Sequence, residues 1–549
     1  MLRRLFMTMV ALAAVTPARA QDMTSEIDKI FSWATPDGPG CAVAVAQNGK
    51  LVASRTYGSA DLERAVPISP DTVFDAGSLR KQFVAAAVLL LVEDGRLGLS
   101  DDVRKSIPEL PDYGHKITID HLLTHTSGVR DWVGLRKLAG ADEDALTLVL
   151  RQRGLNFAPG DEWAYSNSGY LLLTEVVARA SGMAFSQFAG QRLFEPLGMK
   201  TTIYIDDLRT IVKNRALAYE KDGGRWKMAM LLDNERGGGA LLSTANDLLT
   251  WNDALTSGRL GAFVTEKLQE PATLNNGRKL SYARGLFLDT YRDAKVVWHT
   301  GSADGYKSLL SRFPEQGVSI AIMCNSGDDT DKMAYGRRIY DLLVPAKDGK
   351  PAEPEALRAA AEGVDAASLD LKNKLGLFVS ESTGDLLRLG LDDSMLRIAG
   401  GPPLMAVAKD RFRRPRPNVQ FMSQDDFELS FLSPDEFELK SMEGKSTRYR
   451  RAEPYAPTAD DLRAFAGRYE NDEVRSVVQM APGKGGLLGT LNDSREGVEL
   501  RPITRDTFQL GRMMVRFVRD EAGRIVALDL SNPVLRNMRY ARRGDRISS

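Results

Sequence analysis

Between residues 40 and 343 the chain reads as strands, then helices, then strands again. Gly40-Cys-Ala-Val-Ala-Val-Ala-Gln-Asn-Gly-Lys-Leu-Val-Ala-Ser54 holds two β-rich runs joined at Asn48-Gly49, the commonest sequence for a two-residue hairpin turn. From Ser78 to about Leu255 helical periodicity dominates, broken by Gly and Pro, with Ile119–Thr124, Tyr170–Ala178 and Ala245–Trp251 as examples. Strand texture returns at Val296–Thr300, Lys307–Phe313 and Val318–Met323, and an amphipathic helix covers about Met333–Leu343. That order predicts an α+β domain whose antiparallel sheet is closed from both chain ends around a helical insertion. The active site is expected between sheet and helices.

Inside the helical part, Asp75-Ala-Gly-Ser-Leu-Arg-Lys81 runs into Val84-Ala-Ala-Ala-Val-Leu-Leu-Leu-Val92, an apolar segment with no charge before Glu93. Ser78 and Lys81 stand three residues apart, which puts both on one helix face. A serine hydroxyl becomes a useful nucleophile when a neighbouring base takes its proton. A lysine becomes that base when apolar surroundings or nearby positive charge lower its pKa. Four-residue patterns are common, and a Ser that starts a helix with a solvated Lys one turn on would look the same.

The chain has 549 residues, too many for one ordinary core, and an apolar fraction (43%) and charged fraction (27%) usual for soluble globular proteins. Lys plus Arg (73) equals Asp plus Glu (73), so net charge favours neither nucleic acid nor an anionic membrane as partner. Arg3-Arg4, the apolar run Leu5–Val15 and Pro17-Ala-Arg-Ala20 read as a secretory leader cut after Ala20. No other stretch is long and apolar enough to span a bilayer, so a secreted or periplasmic protein is expected. His121 and His125 have the i, i+4 spacing of helical zinc ligands, but Leu122 stands where a metalloprotease helix carries Glu. Both read better as hydrogen-bonding residues near a helix end, and neither a metal nor any other cofactor is implied.

Pro345-Ala-Lys-Asp-Gly-Lys-Pro-Ala-Glu-Pro354 has linker composition. Beyond it come short alternating strands in two similar halves. Leu375-Gly-Leu-Phe378 echoes Phe465-Ala-Gly-Arg-Tyr469, and each half closes on a basic strand, Arg448–Arg451 and Arg539–Arg542. A duplication of roughly 90 residues is expected, each unit a small antiparallel β-barrel of lipocalin-like type, with one shared β-sandwich as the alternative. The expected division is a leader over 1–20, a first domain over 21–345, a linker over 346–358, a barrel over 359–451, a joint over 452–457 and a second barrel over 458–549.

Three patterns in chain order carry the chemistry: Ser78-x-x-Lys81, Tyr165-Ser-Asn167 and His299-Thr-Gly301. With Ile117–Gly128 and Gly237–Leu248, they make residues 30 to 343 resemble the serine β-lactamase and penicillin-binding protein superfamily. The likeness is to the branch with class C β-lactamases, DD-peptidases, D-aminopeptidases and esterases (peptidase family S12-like). Taken singly, Tyr165 reads as a packed aromatic, Asn167 as a turn former and His299 as a plain strand residue. The resemblance implies more. Ser78 would form an acyl-enzyme, Lys81 and Tyr165 would share its proton, and Lys81⁺ would favour a Tyr165 phenolate. Asn167 would bind substrate amide and Lys81. The Ser78 and Ser302 amides would form the oxyanion hole, and His299, Thr300 and Gly301 would flank the substrate. His299 replaces a frequent family Lys, making any charge for a substrate carboxylate conditional on pH, which fits peptidases and esterases better than dedicated β-lactamases.

With two β-units after the hydrolase domain, the chain resembles the three-domain D-aminopeptidases. An exported serine peptidase is implied, acting on a peptide that presents a D-residue. An esterase or weak β-lactamase is the alternative within the enzyme class, and a non-catalytic peptide or peptidoglycan binder is the alternative outside it. Pro482-Gly-Lys-Gly-Gly486 is a candidate loop into the cleft, or an ordinary hairpin connection. In the family fold Cys41 and Cys324 lie at one end of paired strands, as a bridge or as two buried thiols.

Overall fold

The computed structural model describes residues 17–543 except 140–142, 231–237, 328–330, 346–368, 381–385, 393–394, 400–402, 414–426, 442–445, 454, 493, 495, 512 and 533. The expected leader up to residue 16 and linker over 346–358 therefore lie outside the described residues. Helix α1 spans Pro17–Ile30.

Asn48 and Gly49 both take positive φ (53° and 72°), which joins β1 (Cys41–Gln47) to β2 (Lys50–Tyr57) in the tight hairpin that this pair favours. On its other edge β1 pairs antiparallel with Val318–Cys324, Cys41 opposite Cys324 and Gln47 opposite Val318. The sheet runs Phe287–Tyr291, Ala294–Ala303, Tyr306–Phe313, Val318–Cys324, β1, β2, antiparallel throughout. Both chain ends of the domain thus build one sheet.

Alternate residues of this sheet enter two cores. Val43, Val45, Ile320 and Ile322 pack towards α1 and the helix Lys332–Leu343. Ala42, Ala44, Leu310 and Met323 face the helical part. Coverage on both faces explains why Cys41–Ala46 reads as a continuous apolar run rather than an alternating one. At the centre of the second core lies α2 (Arg80–Glu93), buried from Lys81 to Leu91 on every side. That demand follows from a helix apolar all round. Also in the helical part are α3 (Ile119–Leu123), α4 (Trp132–Leu138), α5 (Ala145–Leu150) and α6 (Asn167–Ser181).

The helical reading of this segment is incomplete. A three-stranded patch pairs Ala240–Ser243 with Phe74–Asp75 on one side and Ile203–Ile205 on the other, and Tyr219–Asp222 pairs with Arg225–Met228. Runs of two to four residues are too short to show a period.

Two eight-stranded antiparallel barrels follow. The first runs from Gly376–Ser380 to Ser446–Arg451, and its open edges are joined where the Leu404 N–H donates to the Leu396 carbonyl at 2.6 Å. The second, Gly467–Asn471 to Leu535–Arg543, is closed. The repeated residues do matching work. Arg451 lies over the Phe378 ring at 4.8 Å and donates to the carbonyls of Asn373 and Leu375. Arg542 lies over the Tyr469 ring at 5.9 Å and donates to those of Ala464 and Ala466. In each barrel one arginine ties the last strand to the start of the first. Pro482–Gly486 is a hairpin connection of the second barrel, with bonds from Gly483 to Gly486 and from Gly485 to Glu499.

Among the described residues no helix is long and apolar enough to cross a membrane.

Candidate active site

Ser78 sits in the single 3₁₀ turn Gly77–Leu79 that leads straight into α2. Asp75, held by pairing with Leu242, accepts the Gly77 N–H at 2.8 Å and sets this turn. Gly77 has φ +57°, and a methyl there would fall 2.6 Å from the Ser302 amide nitrogen. Gly301 mirrors it, since a methyl would fall 2.0 Å from the Ala76 carbonyl oxygen. The nucleophile turn and the strand Ala294–Ala303 touch backbone to backbone, so the Ser78 and Ser302 amides share one small region.

One turn into α2, the Lys81 Nζ lies 3.2 Å from Ser78 Oγ and donates to Asn167 Oδ1 at 3.0 Å. It stands 4.5 Å from the Tyr165 ring centre. Tyr165 faces Ser78, whose hydroxyl pulls the phenol's pKa down. Ser166 caps α6 by accepting the Gly169 N–H, which places Asn167 at the first helical position and aims it at Lys81. Ser78, Lys81, Tyr165 and Asn167 therefore converge.

Burial moves both proton carriers towards neutrality. It pushes Lys81 well below the usual lysine range, helped by the Arg80 charge and opposed by Asp131. It pushes Tyr165 above the usual phenol range, against the Ser78 hydroxyl and the Arg80 charge. Desolvation thus works against the ammonium and phenolate forms that the resemblance implies.

His299 also departs from expectation. Its ring is buried, 6.2 Å from the Tyr165 ring and 5.2 Å from Phe287, with Nδ1–H donating to the Thr300 carbonyl at 2.6 Å. Burial, then the Lys81 charge, pushes it down to about 3. It is neutral across the physiological range and supplies no pH-conditional charge. Thr300 is half-buried, Gly301 buried and Ser302 exposed, with Lys307 Nζ 2.6 Å from Ser302 Oγ.

His121 and His125 make hydrogen bonds near helix ends, the reading favoured over a zinc site. His121 Nδ1 accepts the Thr118 N–H in a capping box at the start of α3. His125 Nδ1 accepts the Ser166 N–H at 3.1 Å, and Nε2 meets the Tyr282 hydroxyl at 3.1 Å. That hydroxyl lies 3.5 Å from His299 Nε2, so a buried polar chain backs Tyr165.

Two positioning residues escaped the sequence reading. Asp131 Oδ1 caps α4 through the Val133 N–H at 2.9 Å, and Oδ2 accepts the Asn167 N–H. Its only sequence signal is an Asp just before a helical run. Arg80 donates to the carbonyls of Gly238 and Gly239, parking a positive charge beside Lys81. Chemically, the arrangement offers a serine hydroxyl, an amine of depressed basicity to take its proton, a phenol to pass a proton on, and two backbone donors for an oxyanion.

Comparison with known proteins fits this geometry. The Beta-lactamase family profile matches residues 30–344. Penicillin-binding protein 4* of Bacillus subtilis is 29% identical over 53% of this chain and 68% of its own length. A D-aminopeptidase of Brucella anthropi is 25% identical over 92% of this chain and 95% of its own. In fold, the chain is similar to the octameric penicillin-binding protein homologue from Pyrococcus abyssi (TM-score 0.53, 21% identity, 78% of this chain and 99% of that one). It is also similar to SurE (TM-score 0.50, 20% identity, 96% and 100%). The profile spans every strand and helix that contributes to the Ser78 site, and the chain accordingly belongs to the Beta-lactamase family, as a serine hydrolase.

Proposed function

We propose that the protein is an exported peptidase of the D-aminopeptidase type, hydrolysing short peptides or amides that present a D-residue. The observation that carries this reading is length: the D-aminopeptidase of Brucella anthropi aligns over 92% of this chain, barrels included, whereas the penicillin-binding protein aligns over 53%. Export is supported by the leader-like N-terminus and by the Cys41–Cys324 bridge, since disulfides persist in oxidising compartments.

In the proposed reaction Ser78 Oγ attacks the scissile carbonyl carbon and its proton passes to Lys81 Nζ. The oxyanion is held by the Ser78 and Ser302 amides. Collapse expels the amine, which takes the Tyr165 phenolic proton, and Lys81 returns a proton to Tyr165. Water then enters by the reverse relay, releasing the acid and restoring Ser78.

Intact mass spectrometry after exposure to penicillin and to an activated ester tests the acyl-enzyme. Wild type is expected to gain one acyl group, and Ser78→Ala none. Paired D- and L-amino acid anilides then test selectivity, with D preferred. Adducts with ester alone and no anilide turnover would replace the peptidase reading by an esterase. No adduct with either probe on folded protein would leave a binding protein.

A further inference from the structure

We propose that the second barrel is a working part of the active site, with Glu473 as a positioning residue that acts through Arg130 and Asp131. The inference rests on the reading that Lys81 and Asn167 serve acyl transfer. Arg130 and Glu473 lie 343 positions apart in the chain and form an ion pair at 2.9 Å, their side chains 6% and 14% exposed. Arg130 Nη1 also meets Gln152 Oε1, and Nη2 donates to the carbonyls of Arg536 and Asn537 in the last barrel hairpin, while Nε is buried without a partner among the described residues. Glu473 also accepts the Arg153 N–H at 2.7 Å.

The residues beside Arg130 face the catalytic motif. Asp131 holds the Asn167 N–H, the Trp132 N–H donates to Ser168 Oγ at 2.8 Å, and the Ser166 hydroxyl donates to the Val129 carbonyl at 3.4 Å. One short segment, 129–132, is thus gripped by the barrel on its outer side and grips Ser166, Asn167 and Ser168 on its inner side. Asn167 in turn receives Lys81.

A second clamp runs in parallel. Arg536 pairs with Glu162 at 2.9 Å, three residues before Tyr165, and its N–H donates to Asn156 Oδ1.

Adhesion alone does not require this. Leu535 seats on α4 where a methyl at Gly134 would fall 2.8 Å from its Cγ, and Leu135, Leu138 and Leu148 share a core with the barrel. A buried ion pair adds little to such an interface over apolar residues of the same size. What it does add is a fixed place for the Arg130 main chain, one peptide bond from the carboxylate that holds Asn167.

The test uses the full chain. Glu473→Gln keeps an acceptor for Arg153 and removes the charge. The first-order acylation constant with the activated ester is expected to fall about tenfold or more while KM stays within about twofold, because displaced catalytic groups cost rate rather than binding. Hydrogen exchange should quicken in the peptide containing Ser166–Ser168. Leu528→Ala, a cavity in the barrel core, should lower stability and leave both readouts at wild-type values. Should Glu473→Gln alone fold poorly, the double variant with Arg130→Gln removes both charges and is expected to show the same slow acylation. Wild-type acylation and wild-type exchange at 166–168 in a folded variant would overturn the proposal. If wild type itself fails to acylate, the peptidase reading falls, and the exchange measurement alone decides whether Glu473 positions Asn167.

Discussion

A lysine buried beside an arginine and a tyrosine buried beside that lysine are both driven towards their neutral forms, and this decides which group can act as base. Lys81→Arg keeps a long basic side chain but cannot shed a proton, so acylation should fall by about 100- to 10,000-fold, and by as much in Lys81→Ala. Single-turnover acylation of both variants checks this, and near wild-type acylation by Lys81→Arg would show that Lys81 serves only as a charge. His299 gives a stability prediction. Its folded pKa of about 3 lies below the ordinary 6.5, so between these values the unfolded chain binds a proton that the folded chain refuses. Stability contributed by this group is complete above pH 6.5 and is lost as pH falls towards 3, at up to about 1.4 kcal/mol per pH unit. His125 acts in the same direction. His299→Asn should therefore flatten the pH dependence of the unfolding free energy below 6.5 by about one proton's worth, read from denaturant titrations. Identical slopes in variant and wild type would mean that the ring is not neutral and buried as described.

Among strands and helices, the critical contact is between the turn that carries Ser78 and the strand that carries Gly301. Neither Gly77 nor Gly301 has room for a methyl, and each meets the other element's backbone. Backbone cannot rotate away as a side chain can. Gly301→Ala should cost about 1–3 kcal/mol of stability through overpacking. It should also slow acylation by more than the unfolded fraction explains, because the Ser302 amide and the Ser78 turn are forced apart. Thermal unfolding and burst amplitude, measured on one sample, separate the two effects. A burst as large and fast as wild type would show that the amide pair tolerates the displacement.

Over the whole chain, closure of the first sheet depends on residues that begin and end the hydrolase domain. Cys41 and Cys324 are bonded across paired strands and stand 283 positions apart in sequence. Removing a bridge over so long a loop releases denatured-state entropy, and Cys41→Ser with Cys324→Ser is expected to lose about 2–5 kcal/mol. Comparing the unfolding midpoints of oxidised and reduced wild type with that of the double variant checks it. The reduced protein should match the variant, and no difference among the three would mean that the bridge contributes nothing. Farther along, the barrels repeat one device, an arginine of the last strand laid over an aromatic of the first. The second barrel shares a core with α4 and α5.

Much of this architecture lies open in short stretches of sequence. The hairpin at Asn48-Gly49, the Ser78–Lys81 contact and the strands of the sheet are local, since turn chemistry and the periods of helix and strand act within a few residues. Motif order then brings Tyr165 and Asn167 to the same place. Other features depend on contacts between distant segments. Asp131 looks like any helix cap until α6 is laid against it, and Arg130 looks like a surface cation until Glu473 arrives from 343 positions away. The displaced pKa values of Lys81, Tyr165 and His299 are of the same kind. An ionisable group's pKa depends on how completely water is excluded around it, and that exclusion is the work of walls contributed by many elements at once.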